Sequence, residues 1–185
     1  MNWLTTILLL GAAFLAVFWE ASFSSLRHLL GAQIDLLPPL MVYAGLCAGP
    51  ATVALVAVGG GLCLDALSVN PLGISVLPLF LTGITIYWNR ELILREQVFA
   101  QAVLGLAASA AVPLMTLLLL LTTGHRPLLG WSTLWQLVVL SAGGGLATPM
   151  GFVIFDWLRA WLAPDRPGES SFRPDRELRR GRGVA

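Results

Sequence analysis

Five stretches of this chain, residues 1–19, 36–64, 66–89, 97–124 and 127–155, contain no Asp, Glu, Lys or Arg, and together they take up more than two thirds of its 185 residues. The hydrocarbon core of a bilayer is about 30 Å thick and is crossed by roughly 20 apolar residues, arranged as a helix because a helix satisfies its own backbone where no water is present. Each stretch is long enough for such a crossing. With 57% hydrophobic and 11% charged residues, the composition also lies outside that of a soluble domain of this size. The sequence therefore predicts an all-α integral membrane protein.

The stretch 36–64 is too long for one untilted span, because its 29 residues would make a helix of about 43 Å. It is interrupted at Gly49-Pro50, a step that stops a helix. Two helices are expected there. The first is short and carries Pro38 and Pro39 in its opening turn, where a missing amide costs little. Six helices result, over residues 3–24, 36–48, 50–67, 73–90, 97–121 and 132–162. The domain would run from 1 to 163, followed by an Arg- and Pro-rich tail, 164–185, whose composition predicts disorder. The start Met1-Asn2-Trp3 has no basic n-region, so the first apolar run is expected to stay as a membrane helix rather than be removed as a signal peptide.

Orientation follows from arginine. All eleven basic residues are Arg, and seven of them lie after Phe155. With six crossings, Arg90, Arg95 and those seven share one face against Arg27 and Arg126 on the other, which places the C-terminus in the cytoplasm. A single tilted span over 36–64 would put Arg27 on the same face as those nine, leaving Arg126 alone on the other, with the N-terminus outside. Arginine alone does not separate five helices from six; the Gly-Pro step favours six. Trp3, Trp19, Tyr87, Trp88, Trp131, Trp157 and Trp161 fall near window ends, where amphipathic rings favour the headgroup level. With a net charge of only +1, no nucleic-acid partner is expected.

Small residues recur at four-residue spacing: Ala12 and Ala16; Gly59 and Cys63; Gly105 and Ser109; Gly143, Ala147 and Gly151. In lipid, where helices gain little from hydrophobic burial against one another, close backbone approach over such stripes is a main source of association. Packing within the bundle is the expectation, with a partner's helix as the alternative. The runs Gly59-Gly60-Gly61 and Gly143-Gly144-Gly145 suggest close contact or local unwinding, and Pro78, Pro113 and Pro149 are expected to kink their helices. Cys47 and Cys63 read as small core residues rather than a disulfide or a metal site.

The most specific stretch runs from Gly59 through Asp65 to Asn70-Pro71-Leu72-Gly73 and has no basic residue. A carboxylate at the end of an apolar helix must reach water, accept amide hydrogen bonds or become neutral. The Asn-Pro-Leu-Gly turn can supply amides from the start of the next helix. Asp65 is thus expected to tie the third helix to the fourth, with a proton or substrate role as the rival.

Ile34-Asp35-Leu36-Leu37 entering a short helix, Gly49-Pro50 breaking it, the Gly-rich third helix, and Asp65 followed by Pro71-Leu72-Gly73 together resemble the MreD family of rod shape-determining membrane proteins. The resemblance covers about residues 34–96. It implies a non-enzymatic subunit of the bacterial elongasome in the cytoplasmic membrane, acting in cell shape and lateral peptidoglycan synthesis. Its partner would be an MreC-type bitopic protein, which links it to MreB filaments, RodA and a penicillin-binding transpeptidase. It also implies a six-helix fold similar to the substrate-binding component of energy-coupling-factor vitamin transporters, and such a component is the alternative function.

Enzymatic chemistry is not expected. Asp65 and Asp156 are separated by three charge-free crossings, His28 and His125 lack a clear Ser or Cys partner, and no nucleophile-elbow, zincin or Walker pattern is present. No cofactor or metal is expected either. For a water-soluble ligand the spans offer mainly Thr82, Thr85, Gln97, Gln101, Thr116, Gln136 and Thr148, which their own helices can satisfy.

Overall fold

The computed structural model describes residues 3–22, 35–68, 71–93, 97–123 and 130–162. Arg27, His28, Asn70, His125, Arg126 and the tail 164–185 lie outside them. The described residues form six helices and no strand: α1 (Trp3–Ser22), α2 (Leu37–Cys47), α3 (Pro50–Leu67), α4 (Val76–Asn89), α5 (Val98–Thr122) and α6 (Trp131–Leu162).

Four of these, α1, α3, α5 and most of α6, are long and apolar enough to cross a membrane. At 1.5 Å per residue the 11 residues of α2 reach about 16 Å and the 14 of α4 about 21 Å, both short of the hydrocarbon thickness. The fourth helix thus starts later than the sequence suggested. Gly73 and Ser75 belong to the turn before it, and Pro78 falls in its first turn, where its missing amide leaves no bond broken, rather than mid-helix. Helices α5 and α6 continue through Pro113 and Pro149, and α3 continues through Gly59-Gly60-Gly61 without unwinding.

The core is built around α2. Every residue from Leu37 to Leu46 is buried, and the helix packs against all five others. A helix that is apolar on every side has no solvent face to present, and the centre of the bundle is where it can be accommodated. Met41, Val42 and Tyr43 are at most 1% exposed. Around this axis, α1 lies on α3, where the Thr6 and Thr52 hydroxyls hydrogen-bond at 2.9 Å, and α5 pairs with α6 in the most extensive interface.

The outer faces are apolar as well: Phe14 and Phe18 on α1, Leu106 and Leu118 on α5, and Val153 and Ile154 on α6 are all exposed. Contiguous apolar surface of this extent is matched by lipid rather than water. Trp3, Trp88, Trp131, Trp157 and Trp161 are exposed near helix ends, and Arg90 sits 4.5 Å from the centre of the Tyr87 ring, as interfacial anchors would be placed. The Gly49-Pro50 break makes a topological prediction. In a background lacking Cys47 and Cys63, single cysteines at Gly31 and Pro50 should label from opposite faces of the membrane; a Pro50 cysteine accessible from neither face would return the chain to five crossings.

Candidate functional site

Asp65 lies in the last turn of α3 and is 2% exposed. Its Oδ2 accepts hydrogen bonds from the amides of Gly73 at 2.8 Å and Ser75 at 3.1 Å, in the turn that leads into α4. The chain can turn both amides toward the carboxylate because Gly73 has φ +91°, a conformation that costs a residue with a Cβ about 1 kcal/mol or more. Two further bonds shape the junction: the carbonyl of Pro71 accepts from the Ile74 amide at 3.3 Å, and that of Asp65 from the Ser68 amide at 3.2 Å. Pro71 is itself exposed. The other carboxylate oxygen of Asp65, Oδ1, is buried with no hydrogen-bond partner among the described residues.

Asp35, at the other end of the resemblance's landmarks, starts α2 in a similar way. Its Oδ1 accepts the Leu37 amide at 2.8 Å. Burial pushes this carboxyl up to about 6, against the opposing pull of that amide bond.

The four-residue stripes divide between packing and a cavity. Gly59 faces Leu10 of α1, and Cys63 is half-buried against the core; neither Cys47 nor Cys63 is in a disulfide. Gly105 and Ser109 of α5 do meet α6, but on Gly144 and Thr148. A Cβ on Gly105 would run into the Thr148 hydroxyl, and one on Gly144 into Ser109. The expected stripe Gly143, Ala147 and Gly151 is one residue out of phase with this interface. With Ala12 and Ala16 of α1 it instead borders a cavity of about 850 Å³ between α1 and α6, floored by Leu40 and Tyr43 of α2.

That cavity is mostly apolar, and its polar lining consists of Trp19, Glu20, Tyr43 and Thr148. Thr148 donates to the Gly144 carbonyl at 2.7 Å, and Tyr43 donates to Asp156 Oδ1 at 3.2 Å. The Tyr43 ring packs edge-on to Phe152, at 4.9 Å between centroids, and stacks on Phe155 at 4.8 Å. Arg159 lies on the next turn of α6 and is half-buried. Sequence reasoning missed this Tyr43–Asp156 bond between α2 and α6. Its only signal was a tyrosine inside an apolar window.

Asp65 and Asp156 are therefore engaged separately, one by the α3–α4 turn and the other by α2. Among the described residues no three His, Cys, Asp or Glu side chains converge on a possible metal position. The hydroxyls of Thr85 and Thr116 donate to carbonyls one turn back on their own helices, at 2.7 and 2.9 Å, whereas the Thr82 hydroxyl is buried without a hydrogen-bond partner among the described residues. No family model, curated protein or solved structure matches this chain.

Proposed function

We propose that the protein is a non-catalytic membrane scaffold of the MreD type, a subunit of the bacterial elongasome that acts in cell shape and lateral peptidoglycan synthesis by associating with an MreC-type bitopic partner. Its place would be the cytoplasmic membrane, with the C-terminus inside, and MreB, RodA and a penicillin-binding transpeptidase would be reached through that partner. The observation that carries this reading is the use made of Asp65. The most distinctive polar residue of the spans spends one oxygen on two amides of the next helix junction, which is work of shape rather than of turnover.

The cavity favours a second reading, the substrate-binding component of an energy-coupling-factor transporter. A water-soluble vitamin, however, calls for several polar groups converging on it. Here Tyr43 and Thr148 already give their protons to protein acceptors. Purification in mild detergent distinguishes the two. The scaffold is expected to enrich an MreC-type bitopic protein; tight retention of a vitamin with no such enrichment would transfer the function to transport.

A further inference from the structure

Helix α4 stands at the rim of the bundle. It touches α3 on one side, α5 on the other and α2 behind it, while Leu77, Leu81 and Trp88 on its outer face are exposed. Both of its ends carry groups that hydrocarbon does not accept. Before the helix, Pro71 and Leu72 are exposed in a non-helical turn, and irregular backbone that faces lipid is confined to the polar levels of a bilayer. After it come the exposed Asn89, Arg90 and Glu91. Between these limits stand the 14 residues of α4, about 21 Å of helix against a hydrocarbon core of about 30 Å. Tilting would shorten its reach further. The 18 residues of α3 reach about 27 Å, whereas the 25 of α5 and the 32 of α6 reach about 37 and 48 Å and match an ordinary bilayer by tilting.

We propose that the protein thins the bilayer along its α4 face, and that this face takes phospholipids with acyl chains shorter than those around α5 and α6. A span shorter than the bilayer is accommodated by thinning, by snorkelling of flanking side chains or by association with another helix. Snorkelling serves the Arg90 end, where a long side chain carries the charge. It does not serve the Pro71–Leu72 end, where the polar groups are those of the backbone itself. Sliding is blocked as well, because the Asp65 carboxylate holds the Gly73 and Ser75 amides and so fixes that turn to the end of α3. At the other end Trp88 is exposed, and the Arg90 guanidinium lies back on the Tyr87 ring, as anchors at the headgroup level would. The lipid therefore absorbs the difference of about 9 Å between helix and bilayer. The inference needs only that the chain spans a membrane and is independent of any protein partner.

Spin labels on Leu72→Cys, Leu81→Cys and Glu91→Cys, each in a background lacking Cys47 and Cys63, test the proposal in phosphatidylcholine vesicles of ordinary thickness, about 30 Å of hydrocarbon. Labels at Leu72 and Glu91 are both expected to relax faster with a water-soluble nickel chelate than with oxygen, and the label at Leu81 the reverse. A Leu72 label dominated by oxygen, like that at Leu81, would place the turn inside an unthinned core and overturn the proposal. A Leu81 label reached by neither relaxant, as a covering protein would leave it, does the same. A second measurement needs no cysteine replacement. Quenching of Trp88, taken as the difference between the unaltered protein and Trp88→Phe, is followed in a brominated phosphatidylcholine diluted with short-chain or long-chain lipid. Chains of about 14 carbons should displace the brominated lipid roughly threefold better than chains of about 22. Equal displacement by the two overturns the proposal.

Discussion

Replacing Asp65 with Ala is expected to lower the folded yield and the thermal midpoint in detergent more than any other single change in the α3–α4 region. The side chain is 2% exposed, and its removal leaves the Gly73 and Ser75 amides without their acceptor. Each buried donor left unsatisfied costs about 1 to 3 kcal/mol, so the pair should cost about 2 to 6 kcal/mol. Asp65→Asn should fall between Asp65→Ala and the unaltered protein. Its carbonyl can still accept both amides, but the charge assistance is lost and an amino group enters the place of Oδ1, where nothing hydrogen-bonds. Gly73→Ala should cost about 1 kcal/mol through the positive φ alone, with the carboxylate untouched. Folded fraction by gel filtration and circular dichroism ranks the three. A native-like fold for both Asp65 variants with complete loss of function in cells would instead make Asp65 a chemical participant.

What the sequence discloses and what it conceals follow from the same property. Charge-free windows and the Gly49-Pro50 step mark six helices because they are local signals, and a carboxylate followed by Pro71-Leu72-Gly73 marks a junction for the same reason. Which helix sits in the middle is not local. In a soluble protein, polar residues would mark the outside of each helix, but lipid accepts Leu as readily as the core does. Nothing in Leu37-Pro38-Pro39-Leu40 therefore distinguishes the buried α2 from the largely lipid-facing α5. Leu72 and Ile74 prolong an apolar run into what is a turn, which is why the helix expected from 73 starts only at Val76. The Tyr43 contact with Asp156 spans 113 residues of chain, beyond the reach of any spacing rule.

Phase along α6 is the other hidden quantity, and it supplies a second test of large effect. Gly143-Gly144-Gly145 offers three registers for a stripe, and four-residue spacing is satisfied by Gly143 with Ala147 as well as by Gly144 with Thr148. The structure selects Gly144 and Thr148 for α5. Gly→Ala within a helix gains about 1 kcal/mol of propensity, whereas overpacking costs about 1 to 3 kcal/mol, so the contact at each glycine decides the sign. At Gly151 a Cβ finds open space, and Gly151→Ala should be neutral or stabilising. At Gly144 a Cβ collides with the Ser109 side chain, and at Gly105 it collides with the Thr148 hydroxyl and also lies 2.6 Å from the Gly144 carbonyl oxygen. Both should destabilise, but only one can be repaired by a partner. Ser109→Gly in the Gly144→Ala background removes the colliding atoms and sacrifices no hydrogen bond, because the Ser109 hydroxyl is buried with none among the described residues, leaving the Gly105 carbonyl oxygen at 3.1 Å, a tight contact that a shift of a few tenths of an ångström relieves. Thr148→Ala in the Gly105→Ala background leaves the backbone collision in place, and the helices must separate. Thermal midpoints of the two double variants should therefore diverge, with the first recovering most of the loss and the second little; equal recovery would mean that α5 and α6 meet in a different register.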